Sequence, residues 1–120
     1  MIKLFKSFSF AFKGIKMVFG SEQNMKIHIF TTMLVVISGF VFKINVMEWI
    51  ACLLCIGLVF GAEMINTSIE NVVDLASPEH HDLAGKAKDI AAGAVLICAI
   101  ISVLIGLLIF VPKILQFSMQ

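Results

Sequence analysis

The sequence predicts an all-α integral membrane protein, in which one amphipathic surface helix precedes three transmembrane helices. Composition carries the first argument: of 120 residues, 60% are hydrophobic and 14% charged, and the mean hydropathy is +1.04. A soluble domain carries about 25% charged residues. The second argument is a series of apolar runs long enough, with their ends, to cross a hydrocarbon core. The third is the crowding of the polar residues, since six of the eight acidic side chains fall between Glu63 and Asp89. One compact unit covering 1–120 is expected, with no second domain. A net charge of +1 and the absence of arginine argue against nucleic acid as a partner and remove forked phosphate recognition.

Residues 1–19 carry lysines at 3, 6, 13 and 16. On a helical wheel Leu4, Phe5, Phe8, Phe12, Ile15 and Phe19 gather within about 100°. The lysines take the other side, and only Phe10 points among them. Such a basic amphipathic helix lies flat on an anionic membrane surface. Because lysines interrupt its apolar residues, a cleavable signal is not expected. Gly20-Ser21 should break it, with Ser21 as N-cap of the next helix.

The first span is expected at 27–46, about 30 Å at ~1.5 Å per residue. Lys43 snorkels to the far surface, and Lys43 to Glu48 forms a short outer turn. The second helix is expected at 49–74, anchored by Trp49 at the interface. Counting about 20 residues from Trp49 reaches Ser68, so Glu63 and Asn66 lie inside the leaflet while Glu70 and Asp74 emerge from it. Gly57 and Gly61 form a GxxxG suited to close helix packing. Ser77-Pro78 should start the third helix, expected at 78–111, with Ser as N-cap and Pro in the first turn. The run from Ile90 to Val111 has no charge, and Pro112-Lys113 should close it. With the N-terminus inside, seven of the nine lysines are cytoplasmic and only Lys43 and Lys113 lie outside, which sets the orientation by the positive-inside rule. Three helices enclose a polar cleft poorly, so an oligomer is expected.

Glu63, Asn66, Glu70 and Asp74 are spaced by three, four and four, which puts them on one helical face about 80° wide. An ionisable group at the depth of Glu63 is costly and normally faces protein or a watery cleft. Carboxylates so spaced can hold a hard divalent cation such as magnesium, which leaves waters for phosphate oxygens. With Lys88 a hairpin away, the set suits phosphoryl transfer. It equally suits a polar cluster that merely ends the helix and pairs with lysines, or one that docks a partner. An ion-conducting oligomer would need carboxylates spread through the membrane, and the first and third spans have none. His80 and His81 are adjacent and point apart, which disfavours a shared metal. Cys52 and Cys55 make a CxxC inside a span, where a buried thiol pair is the expected reading rather than a redox or metal motif. No phosphate-binding glycine loop is present.

The block Glu63-x-x-Asn66-x-x-x-Glu70-x-x-x-Asp74 resembles the signature of the prokaryotic diacylglycerol kinase family. So do Glu79-His-His81 followed by Gly85-Lys-Ala-Lys88-Asp89, and upstream Lys3-Leu-Phe-Lys-Ser-Phe and Ser21-Glu22-Gln-Asn-Met-Lys-Ile-His28. The resemblance covers essentially the whole chain. It implies a homotrimer with active sites shared between protomers at the cytoplasmic face, passing the γ-phosphate of ATP to a lipid hydroxyl with magnesium and no phospho-enzyme. Carried over by motif, Glu63 resembles the general base, and Glu22 and Glu70 the metal ligands. Lys3, Glu22, Glu70, Glu79, His80, His81, Lys88 and Asp89 resemble the ATP-binding positions. Asn66, one helical turn from Glu63 and Glu70, is expected to orient both, with Asp74 in support. Lys3 stands where the family often has arginine, and Phe10 where Gram-negative members have tyrosine, which puts a nucleotide contact at Phe10 in doubt. His28, Asn66-Thr67, Glu79-His-His81 and Leu108 to Lys113 are similar to the Gram-positive branch. That likeness implies undecaprenol as the lipid alcohol, with diacylglycerol as the alternative.

Overall fold

The computed structural model describes all 120 residues as four helices: α1 (Ile2–Ser21), α2 (Gln23–Val41), α3 (Val46–Ala76) and α4 (Asp82–Ser118). The last three are long and apolar enough to cross a membrane. The molecule measures 59 × 43 × 21 Å and buries only 10 of its residues, leaving most large apolar side chains on the surface. That exposure fits a chain whose apolar exterior meets lipid rather than water.

No residue of α1 is buried, and its apolar stripe of Leu4, Phe5, Phe8 and Phe12 is open. Its C-terminal end docks through Phe19, whose ring lies 5.2 Å from that of Phe60 on α3. Phe10, on the lysine side, has the Lys13 ammonium 5.5 Å from its ring centroid, a cation–π contact one turn along the helix.

Several expected boundaries differ. α2 occupies 23–41 rather than 27–46, because the Schellman turn ends it before Lys43, and α3 begins at Val46 rather than Trp49, capped by Asn45. Ser21 is not an N-cap: it is the last residue of α1, and its hydroxyl donates back to the Met17 carbonyl at 2.7 Å. The break falls on Glu22, at φ −87° and ψ 124°. Its N–H still bonds to the Val18 carbonyl at 3.1 Å. Ser77 and Pro78 do not start α4. Ser77 ends α3, its N–H bonded to the Val73 carbonyl at 2.8 Å and its hydroxyl donating to the Glu79 carbonyl at 3.0 Å. The proline holds the preceding residue out of helical geometry. α4 begins only after His81, whose Nδ1 accepts the Leu83 N–H at 3.1 Å. Pro112 does not close α4, which runs on to Ser118. Tertiary contacts carry it past the missing N–H: Lys113 pairs with Glu48 at 3.0 Å, and the Phe117 ring meets Phe42 at 6.2 Å.

The turn between α2 and α3 is closed by a run of backbone and capping bonds. Lys43 adopts φ 52°. Its N–H bonds to Phe40 O and that of Ile44 to Gly39 O, a Schellman ending built on a lysine. Asn45 and Glu48 then form a capping box at 2.9 and 3.1 Å. A Cβ on Gly39 would sit 2.6 Å from Trp49 Cη2, so only glycine lets the indole lie against α2. Ile44, Cys52 and Ile109 form a small core here, with Val35, Phe42, Trp49 and Phe110 against it.

Candidate active site

At the other end of α3, three of the ten buried residues are polar: Glu63 at 1% exposure, Asn66 at 6% and Thr67 at 7%. Helical periodicity places them side by side, and α3 turns this face towards α2. The Thr67 hydroxyl donates to Glu63's own carbonyl at 3.0 Å. Asn66 Nδ2 donates to Glu70 Oε1 at 3.2 Å, so the amide orients Glu70, and no hydrogen bond joins it to Glu63. Glu63 Oε2 instead lies 3.5 Å from His28 Nε2 on α2. Neither Glu63 Oε2 nor Asn66 Oδ1 has a hydrogen-bond partner. Buried carboxylates without donors are rare in folded chains.

An apolar cavity of about 340 Å³ runs between α2, α3 and α4, lined among others by His28, Thr31, Cys52, Cys55, Ser102 and Gly106. Both thiols of the CxxC are free and belong to this wall. Gly57 and Gly61 do not pack helices together within the chain, because a Cβ on either would meet nothing within 4 Å.

A second, polar cleft of about 200 Å³ opens at the α3–α4 hairpin, lined by Asp74, Ser77, Glu79, His80, His81 and Lys88 among others. It gathers four of the positions assigned to nucleotide and the supporting Asp74. Lys88 Nζ pairs with Asp74 Oδ1 at 2.5 Å. Lys88 precedes the uncharged run that spans the membrane, and Asp74's hydrogen bond and charge hold its ammonium above the ordinary lysine range. His80 reaches Asp82 at 3.8 Å with both side chains in solvent, while His81 spends Nδ1 on the cap, so the two rings serve different partners. Lys3, Glu22 and Asp89 line neither cavity. Glu22 is half-buried at the α1–α2 break, and Lys3 and Asp89 are exposed.

Within one chain no three His, Cys, Asp or Glu side chains converge on a point that could hold a metal. Magnesium does not require three. It is commonly held by one or two carboxylates, with waters and phosphate oxygens completing an octahedron. Glu70, oriented through one oxygen by Asn66, is a carboxylate of the kind such a donor set uses.

His28 is the site residue that the residue-by-residue reading missed. In the sequence it marks one branch of the family and gives no local sign of being a neighbour of Glu63. The signal is nonetheless present: the two residues sit at the same end of antiparallel spans, His28 just before the uncharged run 29–42 and Glu63 just after the uncharged run 49–62.

Fold and site together define a small helical membrane protein with a buried carboxylate on α3 and a polar cleft, holding one paired lysine, at the α3–α4 hairpin beyond it. The chain belongs to the prokaryotic diacylglycerol kinase family, whose description it matches over residues 9–110, and it is therefore a lipid kinase. It is 46% identical to the undecaprenol kinase of Bacillus subtilis (strain 168) over 92% of this chain and 90% of that protein. It is 36% identical to the diacylglycerol kinase of Synechocystis over 94% of this chain and 65% of that one. With the Escherichia coli (strain K12) diacylglycerol kinase the figures are 28%, 85% and 84%.

Proposed function

We propose that the chain transfers the γ-phosphoryl group of MgATP to the hydroxyl of undecaprenol, giving undecaprenyl phosphate and ADP. The observation that carries this reading is Glu63: a buried carboxylate whose Oε2 lacks a donor, beside a histidine that lines an apolar cavity within the membrane span. A lipid alcohol can bring its hydroxyl there while its chain stays in hydrocarbon. Glu63 Oε2 takes the hydroxyl proton as the lipid oxygen bonds to the γ-phosphorus and the bond to the ADP oxygen breaks. Bound magnesium supplies charge neutralisation at the phosphates. Glu70 and Glu22 are the carboxylates that would hold it.

On the nucleotide side, Lys88, Glu79, His80 and His81 are assigned to ATP, with Lys3 and Asp89 reaching it from outside the cleft. Lys88 brings a cation kept charged by Asp74. Glu63 and Lys88 are thus assigned to opposite ends of one transfer, the first in the leaflet and the second at the water boundary. The lysine distribution supports a cytoplasmic active face in the bacterial plasma membrane. The open glycine face of α3 and the assigned residues outside the cleft support a homotrimer with shared sites.

Undecaprenol is preferred because the relative named for it shares 46% of its residues with this chain, against 36% and 28% for the two diacylglycerol kinases. Diacylglycerol remains the second reading, favoured by the description of the family itself. Purified protein with γ-labelled ATP, magnesium and each lipid in the same micelles separates them. Faster labelling of undecaprenol is expected. Faster labelling of diacylglycerol would reverse the assignment, and labelling of neither at any magnesium concentration would overturn the kinase reading.

A further inference from the structure

The mechanism above leaves one contact unused. Glu63 Oε2 is buried without a hydrogen-bond donor, and each nearby polar side chain on its own helix is engaged elsewhere. Asn66 Nδ2 gives an N–H to Glu70 and none to Glu63, and the Thr67 hydroxyl donates to the Glu63 carbonyl. His28 Nε2, at 3.5 Å, is the side chain that α2 brings to this oxygen. No lysine pairs with Glu63, since the ion pairs of Lys88 and Lys113 go to Asp74 and Glu48. The walls of the cavity that His28 lines carry no Asp, Glu or Lys.

We propose that His28 is the positioning residue for Glu63. Its Nε2–H holds the carboxylate oxygen turned towards the end of the apolar cavity, where the lipid hydroxyl arrives. The 3.5 Å gap is slightly longer than a hydrogen bond, and a small rotation of either side chain closes it. It also leaves room for one hydroxyl oxygen to lie about 2.8 Å from both atoms. A carboxylate on a long flexible side chain, with no other donor, has several rotamers open to it, and misplacing a reacting group by ~1 Å can cost about 100-fold in rate. His28 is well placed for this task because it belongs both to the carboxylate's surroundings and to the cavity wall. The inference rests on Glu63 being the base.

The test measures lipid phosphorylation by His28→Ala, His28→Leu and His28→Gln beside Glu63→Gln, with KM for MgATP and the melting temperature in detergent. Ala and Leu both remove the donor, and Leu keeps the volume should Ala fold poorly. Both are expected to lower kcat about tenfold to 100-fold while leaving KM for MgATP unchanged. Gln, whose amide can donate from nearly the same place, is expected to recover most of the loss. Wild-type kcat in His28→Leu would overturn the proposal, as would a Gln variant no better than Leu or a loss appearing mainly in KM for MgATP. An inactive Glu63→Gln beside a fully active His28→Leu would remove His28's role and leave the base in place. Turnover in Glu63→Gln would remove the base, and His28's role with it.

Discussion

The two ends of α3 are built on opposite principles. Its N-terminal end is closed by the Schellman turn on Lys43, the Asn45–Glu48 capping box and the Glu48–Lys113 pair. Trp49 packs so closely on Gly39 that a methyl group would not fit. Sixteen or so residues further on, the same helix buries a carboxylate oxygen and an amide oxygen with no hydrogen-bond partner. One end is satisfied and closed, and the other carries unmet polar groups whose cost of about 1–3 kcal/mol each must be carried by the rest of the chain. On the proposed function, stability is concentrated at the first end and reactivity at the second. Unmet polar atoms of this kind mark where a substrate is to complete the structure.

That contrast can be broken experimentally. The largest effect is expected from Glu63→Gln, which keeps shape and removes the base. Turnover should fall by at least about 10² to 10⁴ with the fold intact, and a small effect would mean that the unmet oxygen has no chemical use. Glu70→Gln should shift the magnesium titration of nucleotide binding to higher concentration, and an unchanged titration would remove Glu70 as a ligand. Lys88→Ala should raise KM for MgATP severalfold with less change in the KM for lipid. At the closed end, Gly39→Ala forces a Cβ into Trp49 and should destabilise by about 1–3 kcal/mol, read as a lower melting temperature with kcat per folded enzyme unchanged. The smallest effect is expected from Glu48→Gln. The Asn45 backbone N–H, more than the Lys113 ammonium, favours its ionised carboxylate, so the change should lower the melting temperature slightly without touching turnover. A loss of turnover there would show that the two ends are not independent.

The legible part of the fold was whatever depends on period and length. The polar stripe at 63, 66, 70 and 74 follows from helical geometry alone, and the three spans follow from apolar length. Boundaries set by tertiary contacts were not legible. Ser21 and Ser77 both have the right side chain for a cap, yet each hydroxyl bonds to a carbonyl instead. Pro112 reads as a stop, and α4 continues because Lys113 and Phe117 find partners on other elements. In the site, Asn66 was expected to serve two glutamates and reaches only Glu70. The neighbour of Glu63 came from a different helix, through an antiparallel register that no local spacing encodes. The hairpin cleft, by contrast, is sequence-local: Asp74 to Lys88 spans one turn between two helices, so its residues meet almost regardless of the rest.

The point at which Glu63→Gln stops the reaction is the measurement closest to the central claim. Wild type and variant are compared on one preparation in the same detergent, for MgATP binding and for quenched phosphate transfer to undecaprenol. The account predicts superimposable nucleotide-binding isotherms and no lipid phosphate from the variant, because only the hydroxyl's proton acceptor has been removed. Phosphate transfer by Glu63→Gln at the wild-type rate would contradict it.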